Sequence, residues 1–569
     1  MSHINSKVIA LIGGGPAALF FLKHIILKKI KPETIYIFEK NERLGVGMPY
    51  GKAGSGYEHV ANVSANEIPK LTEDIEFFIQ KHSAEGFDEY LSDGIINRDQ
   101  VIPRLLLGNY LENQFLEYIK LAKSSGIKVE TFTNTEVKDI INFNESEAYS
   151  IITGNEEKYQ ADVVILSTGH QWPRSYENTQ KGWYDSPYPP SKFNFTTNYP
   201  VAVKGASLTA VDVIRTLSRQ NGNFIRDNNR VEYVLKPESE NFRIDLYSLS
   251  GFLPALRFHS EDEAYSSNWK MSLNEIFEYK RKHGGFVDLN YVFDKNFKMP
   301  LQKKDPEFYN EIKDLSIEEF VEKMMKLRKE LDSFELFKAE YAEAEKSIRR
   351  HQSISWKEAL TAFSYTMNYP AKHFSAEDMI RLNKVLMPLI SIIIAALPQS
   401  SYREVIALYD AGIIRLNNVN PESRVKPQDS EGAIYQFKDD TGNSHEIPYQ
   451  MYVDATGQRA MNFNDLPFDG LKEHGTVSAG YLSFKDENEA EKELKDGNKM
   501  VKTGANNNFY LQVKGLNIND YFQALDSYGN VRKNLYIMSV AYIGGLNPDY
   551  SGLDFCDTAG EIIVNSMVG

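Results

Sequence analysis

The chain has 569 residues, 42% of them hydrophobic, and carries 64 Lys and Arg against 78 Asp and Glu, a formal net charge of -14. That length points to a few domains with sizeable cores, and the acidic balance, with no sustained basic run, argues against a nucleic-acid surface, which needs clustered Lys and Arg. A single cysteine, Cys556, excludes an intrachain disulfide, a redox-active dithiol and a four-cysteine zinc site.

In chain order, residues 8–12 read as a short apolar strand, residues 17–28 as a helix and residues 35–38 as a second strand ending at Glu39, which together make one βαβ unit. Between the first two stands Gly13-Gly14-Gly15-Pro16-Ala17-Ala18. Gly13-x-Gly15-x-x-Ala18 fits a dinucleotide fingerprint: Gly13 permits the tight turn, Gly15 lets backbone approach a pyrophosphate, and Ala18 lets helix pack on strand. The helix start offers free N–H groups and the positive end of its dipole to the phosphates. Glu39 is placed to accept hydrogen bonds from a ribose hydroxyl pair.

Further strands are predicted at 162–166, 200–203, 243–247, 450–454 and 534–538, most of them followed by Gly or Ser clusters. A second strand–glycine–helix unit starts near 200, and two nucleotide-sized units suggest two nucleotides. From about 260 to 400 the text turns charged, leucine-rich and helical, a separate insertion. Its apolar run from Val385 to Leu397 is shorter than the roughly 20 residues of a membrane span and contains a proline, so it reads as a buried helix. The first residues lack a secretory pattern, which makes the cytoplasm the expected location.

Several segments resemble the two-dinucleotide-fold flavoproteins, the FAD/NAD(P)-binding group related to flavin-dependent monooxygenases and amine N-hydroxylases. The carriers are the N-terminal fingerprint, Gly-Val-Gly-Met-Pro-Tyr-Gly at 45–51, Glu-His-Val-Ala-Asn from 58, Pro103-Arg104 with Gly108-x-Tyr110-Leu111, Ser167-Thr168-Gly169 running on to Pro173, Ala455-Thr456-Gly457, and Gly205-x-Ser207-Leu208-Thr209-Ala210-x-Asp212. The resemblance implies an α/β fold with two Rossmann-like dinucleotide-binding domains and an α-helical insertion. It assigns 1–199 and 451–569 to FAD, 200–258 and 400–450 to NAD(P), and 259–399 to the insertion.

On the flavin side it implies Gly13, Gly15, Pro16, Ala17 and Glu39 at the nucleotide, Tyr50, His59 and Asn62 near the ring, Arg104 facing the cofactor, and Thr168 and Gly169 at the domain junction. Asn62 and His59 are the catalytic candidates; no metal ligands are expected. Gly205, Ser207, Leu208 and Thr209 would form the phosphate turn for NADPH or NADH. Relatives often carry an arginine where this chain has Leu249, and Arg257 is the substitute candidate for a 2′-phosphate clamp. Ser539-Val540 replaces the usual Gly-Asp of the closing segment. Cys556 is expected to pack as a small hydrophobe.

The implied activity is NAD(P)H-dependent monooxygenation of a small molecule with O₂, through a flavin hydroperoxide. The alternatives are an FAD oxidoreductase or oxidase without oxygen insertion, and a non-catalytic nucleotide-binding protein. No nucleic-acid or membrane partner is expected, and homo-oligomerisation stays open. The insertion is expected to select the substrate, with a dimerisation or structural role as the alternative.

Overall fold

The computed structural model describes residues 7–82, 87, 91–92, 95–142, 148–227, 230–261, 270–439, 441–504 and 508–568. The remaining residues of the expected domain ranges, including 262–269 of the insertion, lie outside the described residues.

The chain opens with β1 (Val8–Ile12), whose β-branched run is almost wholly buried, and passes through the glycine turn into α1 (Pro16–Leu27). Pro16 sits at the first helical position, where its missing N–H is not needed and its fixed φ suits the helix. Next come β2 (Thr34–Phe38), α2 (Arg104–Ser124), β3 (Lys128–Phe132) and β4 (Val163–Leu166). The chain then crosses through β5 (Trp183–Tyr184) to β6 (Pro200–Lys204), α3 (Leu208–Asn221) and β7 (Arg243–Ser248).

The helical stretch includes α4 (Leu273–Lys282), α5 (Ile317–Glu330), α6 (Ser333–Arg350), α7 (Ser355–Thr366) and α8 (Gln399–Asp410). Capping boxes start α4 at Ser272 with Glu275 and α5 at Ser316 with Glu319, the sequence signature of helix entry. The chain returns through β8 (Ile414–Asn418) and β9 (Met451–Asp454), and closes with β10 (Gln523–Leu525), β11 (Val531–Ile537) and α9 (Gly552–Val568).

Two sheets organise these elements. The first runs β10-β11-β4-β1-β2-β3, parallel except for β10. The second runs β5-β9-β6-β7-β8 and is parallel throughout. In each, the strand bearing the glycine turn is central: β1 lies between β4 and β2, and β6 between β9 and β7. Helices and a small three-stranded antiparallel sheet cover each of them, Tyr159 packing on Phe38 and Phe132 and Tyr435 on Tyr247, so the central strands β1, β4 and β6 are apolar on both faces rather than alternating. The architecture is α/β, with two Rossmann-like sheets and a helical middle region, as the sequence predicts.

The helical region contacts both sheets. Phe293, Phe297 and Phe363 share one continuous core with β1, α1 and β4. Phe334 and Phe337 of α6 instead enter the second core, stacking on Tyr409 at 3.8 Å and packing at 4.8 Å from Tyr402. The apolar run predicted as a buried helix is helical from Met387 to Ile394, preceded by a π-turn at Leu382–Leu386.

Candidate functional site

Gly13 adopts φ +109°, a conformation that favours glycine, and its N–H donates to Phe38 O at 2.9 Å. A Cβ there would lie 2.6 Å from Ser167 O, so turn and neighbouring strand end are in direct backbone contact. Gly14 N–H donates to Glu39 Oε2 at 3.0 Å, while Glu39 Oε1 accepts from Asn41 N–H and Nδ2, both at 2.8 Å. The buried carboxylate is thereby pinned beneath the turn at the end of β2, with lone pairs left for a hydroxyl donor.

Gly15 faces Gly47: a Cβ on Gly15 would meet nothing closer than Gly47 Cα at 3.4 Å. The loop carrying Gly47 is anchored by Gly45 N–H on Gly14 O at 2.7 Å. No side chain caps α1, and Ala18 behind it is fully buried. Two bare backbones thus face each other beside an uncapped helix start, with an acid at the adjacent strand end. This cradle fits an adenine dinucleotide.

Ser167, where the resemblance has alanine, is a buried tether. Its Oγ lies 2.7 Å from Gly13 O and 3.1 Å from Ile12 O, holding the turn from behind. Ser167→Ala should cost about 1 kcal/mol of stability, the usual net worth of such a bond; thermal unfolding measures it, and an unchanged midpoint refutes the tether. Thr168 O accepts from Ser539 Oγ at 2.5 Å, so the residue in place of the usual Gly-Asp closes the C-terminal segment onto the junction. Gly169 beside it is exposed, with no atom within 4 Å of its Cβ position.

The second turn repeats the first. Gly205 has φ +119°, its N–H donates to Tyr247 O at 2.8 Å, and a Cβ would sit 2.5 Å from Ala455 O. Ser207 is the N-cap of α3 without a capping side-chain bond, Leu208 is the first helical residue, and Thr209 Oγ1 lies 3.4 Å from the Cβ position of Gly457. Ser167-Thr168-Gly169 and Ala455-Thr456-Gly457 therefore play the same part, each bracing one glycine turn through its first carbonyl.

Three of the candidate residues have partners that the sequence reading does not name. The fork of Arg104 grips Asp212, Nη1 to Oδ2 at 2.6 Å and Nη2 to Oδ1 at 3.2 Å, with Nε on Val60 O at 2.9 Å. A planar guanidinium matches a carboxylate in two-pronged fashion, and α3 presents one. His59 is 1% exposed and lies inside the contact with α3, with Nε2 at 3.0 Å from Thr216 Oγ1 and 3.2 Å from Asp212 O. Arg257 is engaged in an ion pair with Glu67, and Leu249, just beyond β7, is 63% exposed.

Asn62 is exposed, its Nδ2 donating to Ile394 O at 3.4 Å at the edge of the helical region. Tyr50 lies between the Gly47 loop and α2, its backbone O 2.1 Å from the Cβ position of Gly108. Burial, with Cys556 and Asp554 nearby, holds the Tyr50 hydroxyl above its ordinary pKa.

Charges in the central contact are set by their neighbours. Burial pushes the Asp212 carboxyl up, but Arg104, His59 and the Tyr188 hydroxyl more than reverse this and hold it below the usual range. Burial keeps His59 below its ordinary value. Tyr188 OH donates to Asp212 Oδ2 at 2.7 Å; no motif in the sequence marks it. The sequence reading also missed two acids of the C-terminal segment, Asp549 and Asp554. Burial pushes both up to about 7, assisted at Asp554 by Glu67 and Asp557. Ser364 Oγ donates to Asp549, and Tyr365 OH meets Thr558 Oγ1 at 2.5 Å, so α7 closes against this segment.

Among the described residues no cluster of His, Cys, Asp and Glu is arranged to hold a metal ion, and no helix is long and apolar enough to cross a membrane.

Residues 10–171 match the family described as FAD-NAD(P)-binding, and residues 272–394 match the YdhS-like middle domain. The N-terminal region is thus an FAD-NAD(P)-binding domain. The chain is 26% identical over 478 residues to the uncharacterized protein YdhS of Escherichia coli (strain K12), covering 82% of this chain and 86% of that protein. Among solved structures it is similar to the lysine monooxygenase NbtG from Nocardia farcinica, at 12% identity over 99% of this chain and 100% of that one, with a TM-score of 0.43. It is also similar to cyclohexanone monooxygenase from Rhodococcus sp. Phi1 bound to NADP+, at 12% identity, 98% and 84% coverage and a TM-score of 0.43.

Proposed function

We propose that the protein is an FAD-dependent oxidoreductase that draws electrons from NAD(P)H and inserts oxygen from O₂ into a small nucleophilic molecule by way of a flavin hydroperoxide. The observation that carries this is the pair of equivalent glycine turns, each at the end of a central parallel strand and each braced by a Thr-Gly segment. Bound FAD would supply the redox chemistry.

In this reading residues 1–199 with 451–569 hold the flavin, 200–258 with 400–450 hold the pyridine nucleotide, and 259–399 selects the substrate, in the cytoplasm. Gly13, Gly15, Pro16 and Ala17 present backbone to the diphosphate and Glu39 takes the ribose hydroxyls. Thr168 and Gly169 border the ring side with Tyr50 and Asn62. Gly205, Ser207, Leu208 and Thr209 receive the second diphosphate. Closure of α7 on the C-terminal segment supports exclusion of water from the junction.

NADPH and NADH, each added anaerobically, should bleach the flavin, and rapid mixing of the reduced protein with oxygen should reveal a transient species before oxidised flavin returns. Direct return with stoichiometric hydrogen peroxide, in the presence of either oxidised nucleotide, overturns the oxygen-transfer step and leaves an oxidase or reductase. Failure of both nucleotides to bleach the flavin removes the second nucleotide from the reading.

A further inference from the structure

We propose that Arg104 is a positioning residue that sets the angle between the two dinucleotide folds, so that the second glycine turn is held at one fixed orientation to the first. The proposal rests on the two-nucleotide reading for its catalytic consequence, though not for its geometry.

Arg104 is the first residue of α2 and is anchored in the flavin-side fold at two points besides its fork: its backbone N–H donates to His59 O at 3.0 Å and its Nε to Val60 O at 2.9 Å. Its partner Asp212 lies one helical turn beyond Leu208, on the helix whose start is the second glycine turn. A two-pronged bond accepts a narrow range of angles, unlike the point charge of a lysine. Tyr188, between β5 and β6 of the second sheet, donates to the same carboxylate and fixes it from its own side.

One turn further along α3 a second link runs in parallel. Gly56 N–H donates to His59 Nδ1 at 3.1 Å, which makes Nδ1 the acceptor and puts the proton on Nε2. Nε2–H then donates to Thr216 Oγ1 at 3.0 Å, and the Thr216 hydroxyl donates to Glu58 Oε1 at 2.6 Å. Asp212 and Thr216, four residues apart, thus share one face of α3 and meet residues 58, 59 and 104 of the other fold. Contacts between domains of one chain ordinarily permit relative motion. Here the contact is buried and made of directional bonds, so it specifies an angle rather than merely adhering.

The decisive experiment compares the native chain with Arg104→Gln, Arg104→Lys and Asp212→Asn. Spin labels sit on the exposed positions Lys123→Cys and Glu238→Cys in a Cys556→Ala background. The native protein should give one narrow distance distribution. Arg104→Gln and Asp212→Asn should broaden it with FAD still bound, and lower the limiting rate of flavin reduction about tenfold with little change in nucleotide affinity, since misplacement affects the reacting geometry more than binding. Arg104→Lys should recover part of the loss.

A folded Arg104→Gln protein with the native distance distribution overturns the proposal, as does unchanged reduction in a protein whose distribution has broadened. If Arg104→Gln does not fold, Asp212→Asn, which preserves shape, makes the same comparison. If neither nucleotide reduces the native flavin, the functional reading has failed, and the distance distributions still decide the positioning role.

Discussion

Gly15→Val should leave a folded but colourless protein. The native chain, loaded with noncovalent FAD, should be yellow. Gly15 has φ −81°, which any residue tolerates, and its Cβ position meets nothing closer than Gly47 Cα at 3.4 Å and Gly47 N at 3.7 Å, ordinary contacts, so the backbone accepts a Cβ there. The dinucleotide does not, because the branched chain fills the gap between the two facing backbones beside the uncapped start of α1. A loss of at least about 100-fold in FAD affinity, about 3 kcal/mol, is expected.

Gly13→Ala gives the contrasting result. At φ +109° and 2.6 Å from Ser167 O, the methyl group strains the backbone itself, and stability should fall by about 1–3 kcal/mol, with flavin loss following the fold. Flavin absorbance and near-ultraviolet circular dichroism together separate the two cases. Stoichiometric FAD in Gly15→Val, or a native protein that cannot be reconstituted with FAD, refutes the cradle.

The second large effect is a fall in stability as pH rises from about 4 to about 7, traceable to Asp549. Burial raises its carboxyl to about 7, above the unfolded value of about 3.9. The folded state therefore holds a proton that the unfolded chain releases across that interval. Stability is undiminished by this group below about pH 4, declines as pH rises towards 7, and is fully reduced above it. A shift of about three units corresponds to as much as about 4 kcal/mol at pH 8.

Asp549→Asn removes the charge while keeping an acceptor for Ser364 Oγ. The variant should therefore be more stable than the native protein at pH 8 and close to it at pH 4.5. Denaturant unfolding at the two pH values measures this; an unaltered pH slope in the variant contradicts the assignment. Asp554, also raised to about 7, leaves a residual slope.

What was legible in the sequence was local. The strand, glycine turn, helix and terminal acid of the first fold are set by adjacent residues, and the predicted strand at 162–166 is found at Val163–Leu166. The second turn could be read although only Gly205 survives from its glycines, because the geometry that demands a glycine there is the contact with Ala455 O. The partners of Arg104, His59 and Arg257 were not legible for one reason: each lies more than 100 residues away. The motif around Arg104 announces a charged fork but not the acid it meets, since Asp212 becomes its neighbour only when two separate sheets dock. Tyr188 and Asp549 lack any local pattern, and their roles arise from burial by other elements.

The order of the chain has a consequence for biosynthesis. β4 is flanked by β1 on one side and by β11 on the other, and α9 packs on α1, with Gly560 close against the backbone of Phe20. On the ribosome, β1 to β4 emerge early, yet the strand and helix that complete their sheet arrive only after everything between 167 and 530 has been translated. At roughly 5–20 residues per second that interval lasts on the order of tens of seconds. During it the apolar edge of β4 and the underside of α1 stay uncovered while the second sheet and the helical region can already form. The nascent chain is therefore exposed to misassociation and to chaperone capture at its N-terminal part, and loss of residues 531–568 would undo the flavin cradle although Gly13, Gly15, Glu39 and Gly47 all remain.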